Sequence, residues 1–250
     1  MRPATWRRRN QRILHDADLL EHPDPRWFDP AWLRTTARVV DEADGRGRAL
    51  FIEIGNLPCV LRHYHRGGVF GGLLQDRYLR GRPENSRAFR EWRLLAELFH
   101  EGLPVPRPVA AHLDCRGLFC RANLITERIE GTVTLVDRLQ PESAILPDWH
   151  ALGACLRRFH EHGVFHADLN ARNILSRDAE TFFLIDFDKG RRRSAGRWQQ
   201  ANLERLRRSL RKLAQAGQAH WSEADDWAAL EAGYQAPAAK PPGRGGDPAP

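Results

Sequence analysis

Apolar and polar residues alternate along residues 36–63, a spacing typical of strands with one buried face. The alternation predicts three strands, at 37–42, 48–54 and 59–64. The sequence DGRG separates the first strand from the second, and GNLP separates the second from the third. Both are turn sequences, so the segment is predicted to form two successive hairpins.

A helix is predicted at residues 86–102, downstream of these strands. Its apolar positions recur every three or four residues, at Phe89, Trp92, Leu95 and Phe99. Ser86 can cap its start and Gly102 can end it. A Pro-rich segment then leads into two more predicted strands, 117–123 and 124–129. Strands, one helix and further strands together indicate a small lobe built on an antiparallel sheet.

The periodicity becomes helical from about residue 132. Helices are predicted at 133–140, 148–163 and 197–216. Two short strands, 173–176 and 182–188, are predicted between the second and third of them. The third helix carries an apolar stripe, typical of a helix with one buried face, at Leu203, Leu206, Leu210 and Leu213.

These elements predict an α+β fold with an N-lobe over residues 1–131 and a mainly helical C-lobe over 132–235. Residues 236–250 are Pro, Gly and Ala with scattered charges and carry no side chain that forms a core. We therefore expect this tail to be disordered.

The chain is basic, with 39 Lys and Arg against 32 Asp and Glu, and this balance indicates an anionic partner. Neither a zinc-finger spacing nor an aromatic RNA-binding strand nor a basic zipper is present, so no nucleic-acid partner is expected. Membrane phosphates or a phosphorylated substrate fit the charge. Arg7–Arg9, Arg191–Arg193 and the basic positions of 197–216 are candidates for such contacts, although a solvated basic face explains the last helix more simply.

Four cysteines are scattered without a CxxC pair, so they are expected to be reduced and the protein intracellular. The basic N-terminus lacks the apolar run of a signal peptide. No apolar stretch approaches the length of a membrane span.

The stretch GVFHADLNARNIL, residues 163–175, concentrates the candidate chemistry. It carries Asp168, Asn170 and Asn173, and Asp186 follows after the next apolar run. A turn rich in Asp and Asn would explain the first three residues alone. Transfer of a phosphoryl group from ATP instead requires a carboxylate at the attacking hydroxyl and oxygen ligands for Mg²⁺.

HADLNARN resembles the catalytic loop of protein kinases, and IDFDKG resembles the DFG segment that follows it. The resemblance implies a two-lobed protein-kinase-like fold that uses ATP and Mg²⁺. It implies that Asp168 orients or deprotonates the acceptor hydroxyl, and that Asn173 and Asp186 bind Mg²⁺. His166 is expected to support the loop.

The same resemblance assigns the nucleotide site. Glu91 takes the place of the helix-C glutamate, and Arg62 stands where kinases carry the phosphate-binding lysine. The backbones of Glu127 and Ile129 are expected to meet the adenine, and Gly45 and Gly47 to form a short glycine turn over the phosphates. Asp188 replaces the glycine of DFG.

A closer resemblance comes from LRHYHRGGVFGGLLQDRYL, FDPAWL, GRGRALF, FHADLNARNIL and LIDFDKG. These segments, between about residues 28 and 215, resemble the bacterial 3-deoxy-D-manno-octulosonic acid (Kdo) kinases. That family phosphorylates the 4-hydroxyl of Kdo on a lipid A precursor, Kdo-lipid IVA, in lipopolysaccharide core synthesis. It acts at the cytoplasmic face of the inner membrane, so a peripheral location is implied, and in it an arginine at the position of Arg62 is normal.

Two substrate contacts are predicted within this resemblance. Arg66 is a candidate partner for the Kdo carboxylate. Asn170 either reaches the γ-phosphate or braces the catalytic loop. The alternatives are another alcohol phosphotransferase, of heptose or aminoglycoside type, a nucleotide-binding pseudokinase, and an RNA-binding module. The oligomeric state is left open.

Overall fold

The computed structural model describes residues 1–36, 39–42, 49–64, 78–79, 82–117 and 119–236. Its helices are α1 Pro30–Thr35, α2 Arg87–His100, α3 Leu135–Arg138, α4 Trp149–Glu161, α5 Trp198–Gln215 and α6 Asp226–Gln235. The first eight strands are β1 Pro3–Arg8, β2 Gln11–Asp16, β3 Val39–Glu42, β4 Ala49–Ile54, β5 Leu57–His63, β6 Tyr78–Leu79, β7 Pro108–Arg116 and β8 Phe119–Glu127. The others are β9 Val133–Thr134, β10 Val164–Phe165, β11 Ile174–Ser176, β12 Phe182–Leu184 and β13 Arg191–Arg192.

An antiparallel sheet in the order β1-β2-β7-β8-β5-β4-β3 forms the first half of the molecule, with β6 added beside β8. One sheet face packs on α1, in a core that includes Leu33, Ile52 and Leu61. The other face packs on α2 through a larger core that continues into the helical half. Since strand side chains alternate between faces, Arg62 on β5 points to the α2 side while its neighbour Leu61 points away.

The helical half is built around α4 and α5, whose apolar stripes are buried. Leu152, Leu156 and Phe159 of α4 are almost inaccessible, and so, as predicted, are the four leucines of α5. Two small sheets, β12-β11-β9 and β10-β13, lie in this half. Each of the helices in the described ranges is too short or too polar to cross a membrane.

Several predictions of local structure are confirmed. The β4–β5 hairpin turns at Gly55, which takes a positive φ of 63°. The helix predicted at 86–102 is α2, its cap Ser86 accepts a hydrogen bond from Phe89 N, and Gly102 follows its end with φ 73°. The predicted DGRG turn and the tail beyond residue 236 lie outside the described residues.

The strands after α2 were predicted wrongly. The Pro-rich segment before residue 117 already contains β7, and the two strands predicted at 117–123 and 124–129 are the single strand β8. Asn123 lies inside β8, and its amide bonds across the sheet, donating to His112 Nδ1 and accepting from His63. A polar residue with partners on both sides does not interrupt a buried strand.

Other predictions also need correction. The helix predicted at 133–140 spans only Leu135–Arg138, because Val133–Thr134 pair with β11 and Thr134 then forms a capping box with Asp137. The expectation that all cysteines are reduced is wrong for Cys115 and Cys120. The β7–β8 hairpin places them opposite each other, with Cα atoms 3.9 Å apart, and they form a disulfide.

The β1–β2 hairpin and α6 are among the elements that the sequence did not predict. Strand β1 is mostly exposed and rich in arginine, so its alternation carries little hydrophobic signal. Helix α6 has a weak apolar stripe because it contacts α4 through backbone. A Cβ atom at Gly153 of α4 would lie 2.0 Å from Leu230 O, and one at Gly233 of α6 would lie 1.9 Å from His150 O.

This close crossing predicts that Gly153→Ala and Gly233→Ala each lower the free energy of unfolding by about 2–3 kcal/mol, because a methyl group would force the two helices apart. The measurement is urea denaturation at neutral pH. Gly196→Ala is the matched control, since its Cβ would find its nearest neighbour at 3.8 Å. Equal stability of all three variants would contradict the close packing.

Candidate active site

A buried ion-pair cluster joins the sheet, α2 and the segment after β12. Arg62 Nη2 lies 3.0 Å from both carboxylate oxygens of Glu91 and 3.0 Å from Asp186 Oδ1. The Tyr64 hydroxyl also donates to Glu91. Burial opposes the positive charge of Arg62, but Glu91 and Asp186 outweigh it and raise the pKa of Arg62 above its ordinary value. The guanidinium therefore stays charged.

Glu91 is an acid on the core-facing side of α2. It is only 2% exposed and lies beside Trp92, which packs in the core. A buried carboxylate is costly unless it is paired and hydrogen-bonded, and Arg62 and Tyr64 supply both conditions. This placement shows that Glu91 is not a solvated helix acid.

The catalytic-loop candidates lie between β10 and β11 and are held by the loop itself. His166 is buried; its Nδ1 accepts from Asp168 N at 3.2 Å and its Nε2–H donates to Ile185 O at 2.9 Å. Burial lowers the pKa of His166, which favours the neutral ring that these two bonds require. Asn173 Nδ2 donates to Asp168 O at 2.9 Å.

Asn170 braces Asp168 directly. Its Nδ2 donates to Asp168 O at 3.0 Å and to Asp168 Oδ2 at 3.1 Å, while its Oδ1 accepts from Arg172 N. Of the two predicted alternatives for Asn170, these bonds favour bracing of the loop. The Asp168 carboxylate itself remains 62% exposed and accessible to a substrate.

The β11–β12 ladder brings the two candidate metal ligands together. Ile174 pairs with Leu184, and Ile185 N donates to Asn173 O at 3.0 Å. Asp186, the next residue, adopts φ 64°, a left-handed conformation that aspartate tolerates better than most residues. The chain turns away from the strand there, and the Asp186 carboxylate meets Arg62.

Asp188, which replaces the DFG glycine, has a partner on α2. Its Oδ1 accepts from Arg87 Nε at 2.7 Å, and a second contact joins Arg87 Nη2 to its Oδ2. Asp188 therefore adds a direct ion pair between the segment after β12 and α2, beside the cluster of Arg62, Glu91 and Asp186.

Helix α5 clamps the catalytic loop, a role that the sequence did not predict. Asn202, 2% exposed, accepts from His166 N at 3.2 Å and donates to His166 O at 2.8 Å. Ser209 Oγ accepts from Ala171 N at 3.3 Å. Arg205 Nη1 donates to Asp168 Oδ1 at 3.4 Å. The sequence contains one indication of this role, since Asn202 is a polar residue beside the leucine stripe of a basic helix.

The basic positions of α5 are solvated, but several of them also have partners. Arg205 reaches the catalytic loop, while Arg207 and Arg211 both bind Glu223. Arg208 is exposed. The side chains of Arg205, Arg207 and Arg211 remain 30–47% exposed, so the expected solvated basic face is present, with acidic partners for these three.

Comparison with known proteins decides the family. The model of the lipopolysaccharide kinase (Kdo/WaaP) family matches residues 30–234, which is most of the chain. The chain belongs to the lipopolysaccharide kinase (Kdo/WaaP) family. This finding confirms the expected family, the two-lobed kinase-like fold and the class of enzyme, an ATP-dependent phosphotransferase.

Curated relatives agree with the family model. A protein of Photobacterium profundum named 3-deoxy-D-manno-octulosonic acid kinase is 42% identical over 230 residues, covering 91% of this chain and 96% of the relative. Proteins of the same name from Vibrio parahaemolyticus (40% identical, 88% and 92% covered) and Haemophilus influenzae strain 86-028NP (36% identical, 90% and 96% covered) are similar over comparable lengths.

The adenine candidates of this Kdo/WaaP family member lie where β8 leaves the sheet. Glu127 N donates to Arg107 O at 2.9 Å, so this N–H already has a partner. Ile129 O accepts from Thr132 Oγ1, and its N–H bonds to none of the described residues. The Ile129 N–H is thus the group best placed to meet a ligand. Gly45, Gly47 and Arg66 lie outside the described residues.

The buried pair between Arg62 and Glu91 predicts a stability effect. Glu91→Gln removes the buried one of the two carboxylates that lie 3.0 Å from the Arg62 guanidinium, so the free energy of unfolding should fall by about 3 kcal/mol. The measurement is urea denaturation at pH 7. Glu97→Gln on the same helix is the control, because its 59% exposed carboxylate should contribute less than about 1 kcal/mol. Similar losses in the two variants would argue against a buried ion pair.

Proposed function

We propose that this protein transfers the γ-phosphate of ATP to the 4-hydroxyl of Kdo on a lipid A precursor, Kdo-lipid IVA. The observation that carries the proposal is the meeting of Arg62, paired with Glu91, and Asp186 beside the loop of Asp168 and Asn173. The name shared by the relatives supports Kdo as the acceptor.

Asp168 is the residue that meets the acceptor. Its carboxylate is exposed, while His166, Asn170 and Asn173 fix the backbone behind it. It orients the acceptor hydroxyl and takes its proton as the hydroxyl oxygen bonds to the γ-phosphorus and the bond to the leaving ADP oxygen breaks. A side chain held in advance in this way loses little entropy on binding its substrate.

Arg62 binds the phosphates of ATP in this proposal. Its two hydrogen bonds to Glu91 hold the guanidinium in one orientation before the nucleotide binds. Arginine presents a planar fork to oxyanions and does not lose its proton, so it can replace lysine here with different geometry. The Ile129 N–H is available to the adenine ring.

Asn173 and Asp186 are the residues that would hold Mg²⁺. The Nδ2 of Asn173 is used on Asp168 O, which leaves its amide oxygen for a ligand, and Asp186 Oδ2 has no hydrogen bond within the described residues. The described ranges contain no cluster of three His, Cys, Asp or Glu side chains arranged to hold a metal ion. Mg²⁺ is commonly bound by one or two protein ligands together with substrate phosphates, so this pair would fit it. The ion would neutralise charge on the phosphates.

The acceptor is expected to be anionic. The excess of basic residues fits an acidic sugar carried on a phosphorylated lipid, and Arg66 stays a candidate contact to one of its anionic groups. Residue Arg66 follows Tyr64 by two positions in the chain, immediately after the strand that carries Arg62.

We also propose a peripheral location at the cytoplasmic face of the inner membrane. Arg7, Arg8 and Arg9 are exposed at the turn of the β1–β2 hairpin. By contrast, Arg191 and Arg193 stack over Phe165, and Arg192 binds Glu101, so these three are already engaged. The hairpin turn is the better candidate for anionic lipid, because each free cation adds about 1 kcal/mol near such a surface.

Transfer of labelled phosphate tests the proposed reaction. Wild type with Mg·ATP should label Kdo-lipid IVA. Asp168→Asn should reduce the rate by about 10²–10⁴, because the proton acceptor is lost, and Asp186→Asn should reduce it at least as far. Glu180→Gln, an exposed acid in the β11–β12 turn, should leave the rate unchanged. Acceptors ending in heptose or a neutral sugar are run in parallel; labelling of these, and not of Kdo, would contradict the assigned substrate.

Sedimentation with vesicles tests the location. Wild type should bind vesicles containing about one-third anionic lipid and lose binding as salt is raised. Replacement of Arg7, Arg8 and Arg9 by glutamine should weaken binding by on the order of 100-fold, because three cations at about 1 kcal/mol each contribute about 3 kcal/mol. The matched control replaces Arg191, Arg192 and Arg193. A larger loss in the control, or no binding by wild type, would contradict the hairpin surface.

A further inference from the structure

One face of α5 is turned toward the catalytic loop. Asn202, Arg205 and Ser209 are spaced three and four residues apart and therefore share that face. Asn202 holds both backbone groups of His166, and Ser209 holds Ala171 N. The helix is thus fixed to the loop about one turn on either side of Arg205, so the guanidinium is directed at Asp168 by two anchors.

Arg205 differs from the other paired arginines of α5. Arg207 donates two hydrogen bonds to Glu223 Oε1, and Arg211 donates one to each carboxylate oxygen of Glu223. Arg205 makes one hydrogen bond to the described residues, at 3.4 Å to Asp168 Oδ1, and its side chain is 47% exposed. A single long bond between exposed groups adds little to stability. The remaining N–H groups of Arg205 bond to none of the described residues, and the Asp168 carboxylate beside Arg205 is 62% exposed.

The other charged groups of the site leave Arg205 as a cation that an acidic acceptor can use. Within the described residues, Arg62 and Arg205 are the guanidiniums that contact Asp168 or Asp186. Arg62 is already shared between Glu91 and Asp186. An acidic acceptor that places its hydroxyl at Asp168 brings a second negative charge beside that carboxylate. Without a cation there, the two would repel each other.

We propose that Arg205 binds an oxyanion beside Asp168, and that this oxyanion is the carboxylate of the acceptor sugar. The inference rests on the proposed function and makes Arg205 a residue that selects acidic acceptors. A guanidinium fork matches a carboxylate with two parallel hydrogen bonds. In the complex, the Arg205–Asp168 bond gives way to one bond from the acceptor hydroxyl to Asp168 and a pair from Arg205 to the carboxylate.

The transferred phosphoryl group is the other oxyanion that could meet Arg205. The two sources predict different kinetics. Loss of a carboxylate contact raises KM for the acceptor and leaves the acceptor-independent hydrolysis of ATP unchanged. Loss of a contact made only with the phosphoryl group in the transition state lowers kcat and the hydrolysis rate together.

The experiment compares Arg205→Gln, Arg205→Lys and the control Arg208→Gln. Arg208 is an exposed arginine of the same helix, outside the loop-facing positions. Each is assayed with a Kdo acceptor and with the same acceptor whose carboxylate has been reduced to an alcohol. Thermal unfolding and Mg·ATP binding verify that the variants are folded.

Arg205→Gln should raise KM for the Kdo acceptor by on the order of 10- to 100-fold, the loss expected for a charge-assisted hydrogen bond. Arg205→Lys should recover part of this loss, and Arg208→Gln should match wild type. The reduced acceptor should bind wild type weakly and should show little further loss in Arg205→Gln. This non-additivity is the signature of a direct contact.

Three results would overturn the proposal: Arg205→Gln behaving as Arg208→Gln does, equal losses on both acceptors, or a fall in kcat and hydrolysis with KM unchanged. The last would assign Arg205 to the phosphoryl group. If wild type phosphorylates no Kdo acceptor, the proposed function fails. The role of Arg205 is then decided by calorimetry of free Kdo binding to the Mg·ADP complexes of wild type and of Arg205→Gln. Equal affinity in the two proteins, or no binding to wild type, would contradict the proposed role of Arg205.

Discussion

The contact of Arg62 with Glu91 and Asp186 is the interaction on which the rest of the site depends. It joins three elements that are distant in sequence, namely β5, α2 and the segment after β12. Its members are costly to bury singly, so each requires the others to be in place. Because β5 also belongs to the sheet and α2 to the main core, packing of the whole N-terminal half fixes where Arg62 points.

The second constraint is the attachment of the catalytic loop to α5. The neutral ring of His166 links the loop to Ile185, and Asn202 holds the backbone of His166 from the opposite side. Asp168 is therefore exposed on a backbone that is bound on both flanks. An arginine in the lysine position and an aspartate in the DFG glycine position do not weaken this frame, because Arg62 and Asp188 each form ion pairs with neighbouring elements.

The sequence predicted the elements whose physical signal is local. Residue periodicity located α2, α4 and α5, and the resemblance of HADLNARN and IDFDKG to kinase segments indicated phosphoryl-transfer chemistry at Asp168, Asn173 and Asp186. The missed features depend on tertiary partners. Helix α6 packs through glycines against α4, β8 continues through Asn123 because its amide is paired across the sheet, and Cys115 meets Cys120 through hairpin register. The sequence did not distinguish Arg205 from the other basic residues of α5, because only the rotation of the helix relative to the catalytic loop brings Arg205 to Asp168.

The central claim is that Arg62 and Asp168 act on one nucleotide and one acceptor in the same cleft. A crystal structure with a non-hydrolysable ATP analogue, Mg²⁺ and a Kdo saccharide tests it most directly. The account predicts a γ-phosphate lying between Arg62 and Asp186 on one side and a Kdo hydroxyl hydrogen-bonded to Asp168 on the other. A nucleotide bound elsewhere, or a Kdo hydroxyl directed at a residue other than Asp168, would contradict it.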